Sequence, residues 1–394
     1  DLVVDGYHET AESGAGMTLG EELQALYPAA RLEVHGKFQT AALLWHKDPV
    51  LDSLWIDIAT ARTEFYPYPA ANPEVEASSI QQDLYRRDFT INALALRLTG
   101  PQAGEMLDFF GGAEDLQARR VRVLHANSFI EDPTRIYRGV RFATRLGFEF
   151  DSQTEDYIRH AIASGIYSQV QDSQNGKVIA PALQTRLKAE LRYILQTAYW
   201  RDAMRLLGDL DALVCIHPTL KLTRYLWRQL WLMECYLQRF DPEARLVHWQ
   251  MLLEVLISAI DPEFRAGVAQ HLQLTAEGIE RLAQLAAVEA TITSALPSCE
   301  QPSQVVQLLQ GYDLAMLLLV AVRMRRQRSV IRQYLEDWSQ VKPLLNGNDL
   351  RALGYQPGKQ FKVMLGELLG ATLDGAVTDK AGAIAFIRSR FMAG

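Results

Sequence analysis

Apolar spacing divides the chain into two regimes. Up to about residue 115, short apolar runs alternate with polar positions, and helical spacing appears only between them. Residues 2–4 read as a short buried strand, with Asp5-Gly6 as its turn. Residues 32–35, 41–45 and 54–58 read as further strands; the last, Leu-Trp-Ile-Asp-Ile, sets Asp57 on the face opposite Ile56 and Ile58. Residues 18–27 carry the spacing of an amphipathic helix. Residues 66–79 hold three prolines among small residues and read as one long loop, a length usually reserved for function or disorder. An apolar stretch over 91–98 follows Arg86-Arg87-Asp88, where it suggests a helix start, and Gly111-Gly112 punctuates the end of the region.

Beyond residue 116 the period-two signals fade and helix follows helix. The expected segments are 133–146, 153–163, 180–197, 201–207, 223–236, 246–258, 276–294, 303–309, 313–328, 329–338, 358–369 and 380–389, several of them separated by Pro or Gly. There is no internal repeat and no low-complexity tract. The pattern predicts an α+β protein: a head with a small mixed sheet, then an all-helical remainder.

Composition narrows this picture. The 394 residues are 48% hydrophobic and 22% charged, which excludes global disorder and a collagen-like fibre. Forty basic against 47 acidic residues give a net charge of −7, so any phosphate binding has to come from local basic surfaces. The longest apolar run, 314–322, stops at Arg323, short of the roughly 18–20 residues that span a bilayer, so no membrane partner is expected. Cys215, Cys235 and Cys299 are too dispersed for a disulfide framework or a paired-cysteine metal site, which fits a reduced, cytoplasmic setting. The chain opens at Asp1 directly on a strand pattern, so an N-terminal piece is expected to precede it; no signal-peptide pattern is present.

Three constellations carry candidate chemistry. Asp1 and Asp57, at the ends of adjacent strands, are of the type that holds Mg²⁺ for phosphoryl transfer, although two ordinary strand-end aspartates would look the same. Arg86-Arg87-Asp88, with Asn92 behind, offers forked donors for a triphosphate and a carboxylate for a sugar hydroxyl; an Asp helix cap flanked by surface arginines is the plainer reading. The third is Glu131-Asp132-Pro133-Thr134-Arg135, which opens a helix with Pro in its first turn. Arg135, Arg138, Arg141 and Arg145 follow at spacings of 3, 3 and 4, within an arc of about 120°. Ile136, Val140, Ala143 and Leu146 take the other side, toward a core. Residues 118–148 hold seven arginines against two acids. Such a stripe repels itself unless an anion sits on it, and an Asp–Arg pair one turn apart can read a base edge. A solvated helix face with Glu131 paired to Arg135 is the alternative. A further basic run, Arg323, Arg325, Arg326, Arg328 and Arg332, either neutralises RNA phosphates or is a polar helix end.

With these residues in place the sequence resembles the class II tRNA nucleotidyltransferases: the bacterial-type CCA-adding enzymes, their CC-adding and A-adding relatives, and the bacterial poly(A) polymerases. Asp1-Leu-Val-Val-Asp-Gly is similar to the end of the family's Asp-x-Asp metal motif, and residues 35–41 and 56–62 to its next two strands, with Asp57 as a third carboxylate. Residues 86–93 resemble the ribose and triphosphate motif, 108–116 the hinge, and Glu131-Asp132-x-x-Arg135 the protein template that pairs with the incoming base. On that resemblance Arg138 and Arg141 continue the neck helix, residues 186–191 support the template, and residues 66–79 are the loop that switches C to A addition. Residues 348–359 resemble a tail segment whose Pro-Gly turn opens a helix, placing Lys359 at a helix N-terminus suited to a tRNA phosphate.

The resemblance implies four parts: a nucleotidyltransferase head at 1–115, a helical neck at 116–200, a body at 201–295 and a tRNA-binding tail at 296–394. It implies Mg²⁺ as cofactor, CTP and ATP as substrates, and the tRNA 3′ end and elbow as partners. Full CCA addition is the expected activity, with partial A or CC addition next and poly(A) synthesis after them. A non-catalytic RNA-binding protein with an inactive head, or a helical scaffold that only inherited the head, are the non-enzyme alternatives.

Overall fold

A computed structural model of the chain describes residues 1–5, 14–67, 71, 73–165 and 181–391. Gly6 of the expected first turn, Ala180 at an expected helix start, and residues 68–70 and 72 of the expected loop lie outside the described residues. Two compact units comprise 1–221 and 222–394.

The first unit opens on a four-stranded sheet of order β1-β4-β3-β2. Its strands are β1 (Leu2–Val4), β2 (Arg31–His35), β3 (Thr40–Leu44) and β4 (Trp55–Thr60). β1 runs parallel to β4, with Leu2 opposite Ile58, and the other pairs are antiparallel. Alternation works as the pattern requires: Ile58 and Leu43 are fully buried while Asp57 is exposed. Helix α1 (Ala15–Leu26) lies on the sheet through glycine. A Cβ at Gly16 would stand 2.5 Å from the Ala59 carbonyl carbon, so no larger residue permits this approach.

Residues 66–79 are not one loop. β5 (Arg62–Phe65) and β6 (Glu74–Ala77) pair antiparallel, Arg62 opposite Ala77, which confines the connection to the hairpin end. Ser79 then caps α2 (Ile80–Tyr85) by accepting from the Gln82 amide. The apolar stretch after Asp88 is a single 3₁₀ turn, Thr90–Asn92, and then β7 (Leu94–Leu96), paired with β8 (Met106–Asp108), rather than a helix. α3 (Gly112–Gln117) packs so closely on that turn that a Cβ at Gly112 would be 2.3 Å from the Thr90 carbonyl oxygen. Asp115 locks the junction, accepting from the Thr90 hydroxyl at 2.6 Å and from Arg122.

A two-residue parallel ladder, β9 (Arg120–Val121) with β10 (Glu149–Phe150), persists past residue 116, where strand signals were expected to have ended. Between them run α4 (Ser128–Glu131) and α5 (Thr134–Leu146). Ile136, Tyr137 and Val140 of α5 are fully buried, and the Tyr137 hydroxyl donates to the Ala212 carbonyl at 2.8 Å. Leu146 departs from the expected core face and is 45% exposed, because the helix stops there at Gly147. α6 (Ser152–Ala163), α7 (Pro181–Leu195) and α8 (Trp200–Asp209) complete the helices of this unit among the described residues.

The second unit is helical. α10 (His248–Ser258) is buried from Gln250 to Ser258 and is surrounded by α9 (Arg224–Phe240), α11 (Pro262–His271), α12 (Ala276–Ala295) and α14 (Leu314–Arg323). α11 was absent from the sequence expectation. α13 (Pro302–Leu309) precedes α14. The helix expected over 313–328 ends at Arg323; Met324 is extended and α15 (Arg328–Glu336) starts afresh. A smaller core of Leu345, Leu350, Met364, Leu368, Ala383 and Ile387 joins α16 (Gly347–Ala352), α17 (Lys359–Leu373) and α18 (Lys380–Arg390). Among the described residues no single helix is long and apolar enough to cross a membrane.

Candidate functional site

Within the first unit a cleft of about 520 Å³ opens between the head residues and α5 with α7. From the head it is lined by Asp1, Glu64, Tyr66, Arg86, Arg87, Asp88 and Asn92. From the helices it is lined by Asp132, Thr134, Arg135, Arg138, Phe142, Arg186, Ala189 and Glu190. Of the metal- and nucleotide-binding candidates the sequence singled out, eight line this cleft. Asp57 and Arg141 are not among the lining residues.

Arg86, Arg87, Arg138 and Arg141 are each held by an acid from another element. The fully buried Asp83 of α2 accepts from Arg86 Nε at 3.0 Å and Nη2 at 2.7 Å, and its second oxygen lies 3.4 Å from Arg87 Nη2. Glu64 of β5 takes Arg86 Nη1 at 2.7 Å, and the Asn92 carbonyl takes Arg87 Nη1 at 3.2 Å. Asp88 is not a helix cap. Its Oδ1 accepts from the Phe89 amide and Asn92 Nδ2, and its Oδ2 takes Arg138 Nε at 2.6 Å. Phe89, wholly buried and bridged to Val123, anchors it. Arg141 pairs with Glu190 of α7 at 2.8 Å and lies over the Phe142 ring. Thus Arg138 and Arg141 of the expected self-repelling stripe are neutralised within the protein, Arg135 is buried among uncharged acceptors, and Arg145 is exposed at the end. Burial alone would lower the Arg138 pKa; Asp88 and Glu190 outweigh it and raise it above the ordinary arginine value.

The Asp132–Arg135 pair faces the cleft. Asp132 is extended, at φ −142°, and separates α4 from α5, so Glu131 sits on a different helix from Arg135. Glu131 instead lies 3.7 Å from His125. Asp132 Oδ1 accepts from the Thr134 amide at 3.0 Å and hydroxyl at 2.6 Å, while Oδ2 stands 3.3 Å from Arg186. Arg135, 7% exposed, donates from Nη1 to Ser128 Oγ at 2.6 Å. Its Nη2 donates to the Arg86 carbonyl at 3.2 Å and the Tyr66 hydroxyl at 3.4 Å. Burial pushes the Tyr66 hydroxyl up to about 12 against the opposing charge of Arg135, so it stays a neutral phenol. Burial, then Arg135, pull His125 down to about 4.

Asp1 and Asp57 stand side by side at one end of the parallel β1–β4 ladder, each one residue before the Leu2–Ile58 pair. Both are exposed, and one Asp57 oxygen accepts from the Trp55 indole at 2.6 Å. Two exposed carboxylates fit a hard cation that takes its remaining ligands from water and phosphate. No group of three or more acidic, histidine or cysteine ligands gathers among the described residues.

In the second unit the five-arginine run does not form a single patch. Arg323 pairs with Glu289 at 2.6 Å and donates to Ser258, and Arg328 donates to the Ala321 and Val322 carbonyls at the end of α14. Both side chains are thus engaged within the fold, on either side of the helix break at Met324. Arg325, Arg326 and Arg332 are exposed, as is Lys359 at the start of α17.

Sequence reading passed over Asp83, Glu64, Tyr66 and Ser128. Asp83 stands three and four residues before the two arginines, a helical pairing interval. Arg62, Glu64 and Tyr66 share a period-two face that was legible once 62–66 was taken as a strand. Ser128 had no signal, since its helix and that of Arg135 are separate.

The poly A polymerase head domain family matches residues 5–122. An A-adding tRNA nucleotidyltransferase of Geobacter sulfurreducens is 31% identical over 93% of this chain and 41% of its own length. That of Halalkalibacterium halodurans is 27% identical over 99% of this chain and 84% of its own length. The chain thus spans about two fifths of the length of the Geobacter relative. A solved CCA-adding enzyme superposes with a TM-score of 0.74 at 26% identity, over 96% of this chain and 86% of that one. The Thermotoga maritima CCA-adding enzyme complexed with tRNA-CCA gives 0.73 at 25%, over 98% and 85%.

Proposed function

Because the chain belongs to the class II tRNA nucleotidyltransferases, we propose that it extends the 3′ end of tRNA with nucleotides taken from CTP and ATP. One observation carries the reading: base-reading and triphosphate-binding candidates from two sets of elements, Asp132 with Arg135 and Arg86 with Arg87, line a single cleft. The terminal hydroxyl of the tRNA attacks the α-phosphate and pyrophosphate leaves.

Arg86 and Arg87, held from behind by Asp83, present their remaining donors to the triphosphate. Asp88 and Asn92 hold each other at the ribose end. Asp132 accepts from an exocyclic amine and Arg135 donates to ring or carbonyl acceptors. GTP leaves these groups unpaired, typically a large penalty. Asp1 and Asp57 would hold Mg²⁺, which when bound offsets the charge that develops on the phosphate and the attacking oxygen. Arg325, Arg326 and Lys359 are our candidates for contact with the tRNA backbone and elbow, which proteins grip by shape and phosphate. Cysteine usage supports a cytoplasmic setting.

Terminal A addition is supported by the A-adding relatives, whose similarity runs along nearly the whole chain. Full CCA addition is supported by the CCA-adding enzymes of like fold. One assay separates the readings: tRNA ending before CCA, after CC and after CCA is offered labelled CTP or ATP with Mg²⁺. Acceptance of ATP only on the CC end means A addition. Acceptance of CTP and then ATP from the bare end means CCA addition. Labelling on none of the three ends refutes the proposal.

A further inference from the structure

We propose that Ser128 and Tyr66 are positioning residues that set nucleotide choice by fixing the Arg135 guanidinium between α4 and the β5–β6 hairpin. The inference rests on the role proposed for Arg135 and adds what holds that residue in register.

An arginine head carries five N–H donors in one plane. Three of the Arg135 donors are committed to protein: one to Ser128 Oγ, one to the Arg86 carbonyl and one to the Tyr66 hydroxyl. Two remain for a base edge. A free arginine head turns about its last side-chain bonds and can offer donors to almost any acceptor pattern. With three donors tied it offers only two, Nε–H and one Nη1 hydrogen, each in a fixed direction. Ser128 is wholly buried, and its 2.6 Å bond is the shortest of the three. Tyr66 closes the opposite side. Its ring lies 5.9 Å from the guanidinium, and its hydroxyl also donates to Glu64, which in turn holds Arg86. Base choice and triphosphate seating therefore share one hydrogen-bonded chain, running Ser128, Arg135, Tyr66, Glu64, Arg86.

The test compares kcat/KM for ATP or CTP with that for GTP in the full chain, using Ser128→Ala, Tyr66→Phe and Arg135→Ala singly and in pairs. Ser128→Ala is expected to lower the discrimination about tenfold, and Tyr66→Phe, which keeps the ring, about threefold, each mainly through faster GTP use. In the Arg135→Ala background neither change should alter discrimination further, because their effect passes through that residue. A purely structural loss would instead slow all nucleotides alike. If Arg135→Ala relaxes discrimination but Ser128→Ala and Tyr66→Phe do not, or if they retain their effect without Arg135, the inference is overturned while the function stands. If Arg135→Ala itself leaves discrimination unchanged, both fall. Tyr66→Phe removes one oxygen from a half-buried site, so it decides the matter should Ser128→Ala fail to fold.

Discussion

Asp83→Asn is the most informative perturbation of the cleft, because it changes no shape and touches no nucleotide-facing atom. The carboxylate is fully buried and accepts from Arg86 twice, from Arg87 and from the Arg62 amide at 3.3 Å. Breaking a buried ion pair by removing one partner costs roughly 3–5 kcal/mol. The arginine heads here are 19% and 28% exposed and regain some water, and the amide keeps one acceptor, so about 2 kcal/mol is the expected loss. For a unit of this size that lowers the melting transition by about 4–8 °C. Calorimetry on the full chain should show the shift in the transition of residues 1–221, with the transition of the second unit in place. Freed from Asp83, Arg86 and Arg87 lose their preset direction. The KM for the triphosphate should then rise about tenfold, corresponding to about 1.4 kcal/mol, with kcat altered far less. An unchanged KM in a variant that melts lower would show that Asp83 only supports the fold, and the preorganisation argument would fail.

Three further outcomes are expected. Replacing Asp132 and Arg135 together by Ala should relax C/A choice while leaving measurable turnover, read by misincorporation of GTP and UTP; intact selectivity would remove the base-reading role. Gly16→Ala drives a Cβ into the β4 backbone and should cost at least about 2 kcal/mol, read as a lower melting temperature of the first unit, and a neutral result would mean that α1 sits further from the sheet than described. His125, depressed to about 4 by burial and then Arg135, binds a proton more readily unfolded than folded between pH 6.5 and 4. Its contribution is therefore complete above about pH 6.5 and shrinks as pH falls, by about 2 kcal/mol at pH 5. Glu131, raised by burial, works in the opposite sense, so the clean comparison is His125→Gln, whose melting temperature should fall less between pH 7.5 and 5 than that of the unaltered chain.

Residues whose environment is local were legible in the sequence. The sheet strands, α5 and the Asp132–Arg135 spacing follow from periods of two and 3.6, and each is found within one or two residues of its expected place. Expectation failed where tertiary pairing decides. The run after Asp88 has the composition of a helix start, yet Phe89 is drawn into a bridge with Val123 and the chain turns into β7. The β5–β6 hairpin is hidden by prolines that fall near its connection. Arg323 and Arg328 look like a surface cluster only while the helix is assumed continuous. The break at Met324 turns both toward carbonyls and Glu289.

The arginine stripe shows why charge in a sequence is hard to convert into a ligand. Four like charges on one arc demanded an anion, and the fold itself provides two of the anions, Asp88 and Glu190, from other elements. Neutralisation by protein does not remove the capacity to bind. A guanidinium with one edge on a carboxylate still has its other edge, and the carboxylate fixes where that edge points. An unpaired stripe would instead be hydrated and mobile, and the nucleotide would bear the cost of ordering it on every binding event. The acids behind Arg86, Arg87 and Arg138 thus trade net attraction for direction. That trade suits the proposed function, which has to choose among four triphosphates carrying the same charge, because charge draws all four equally and only direction tells them apart.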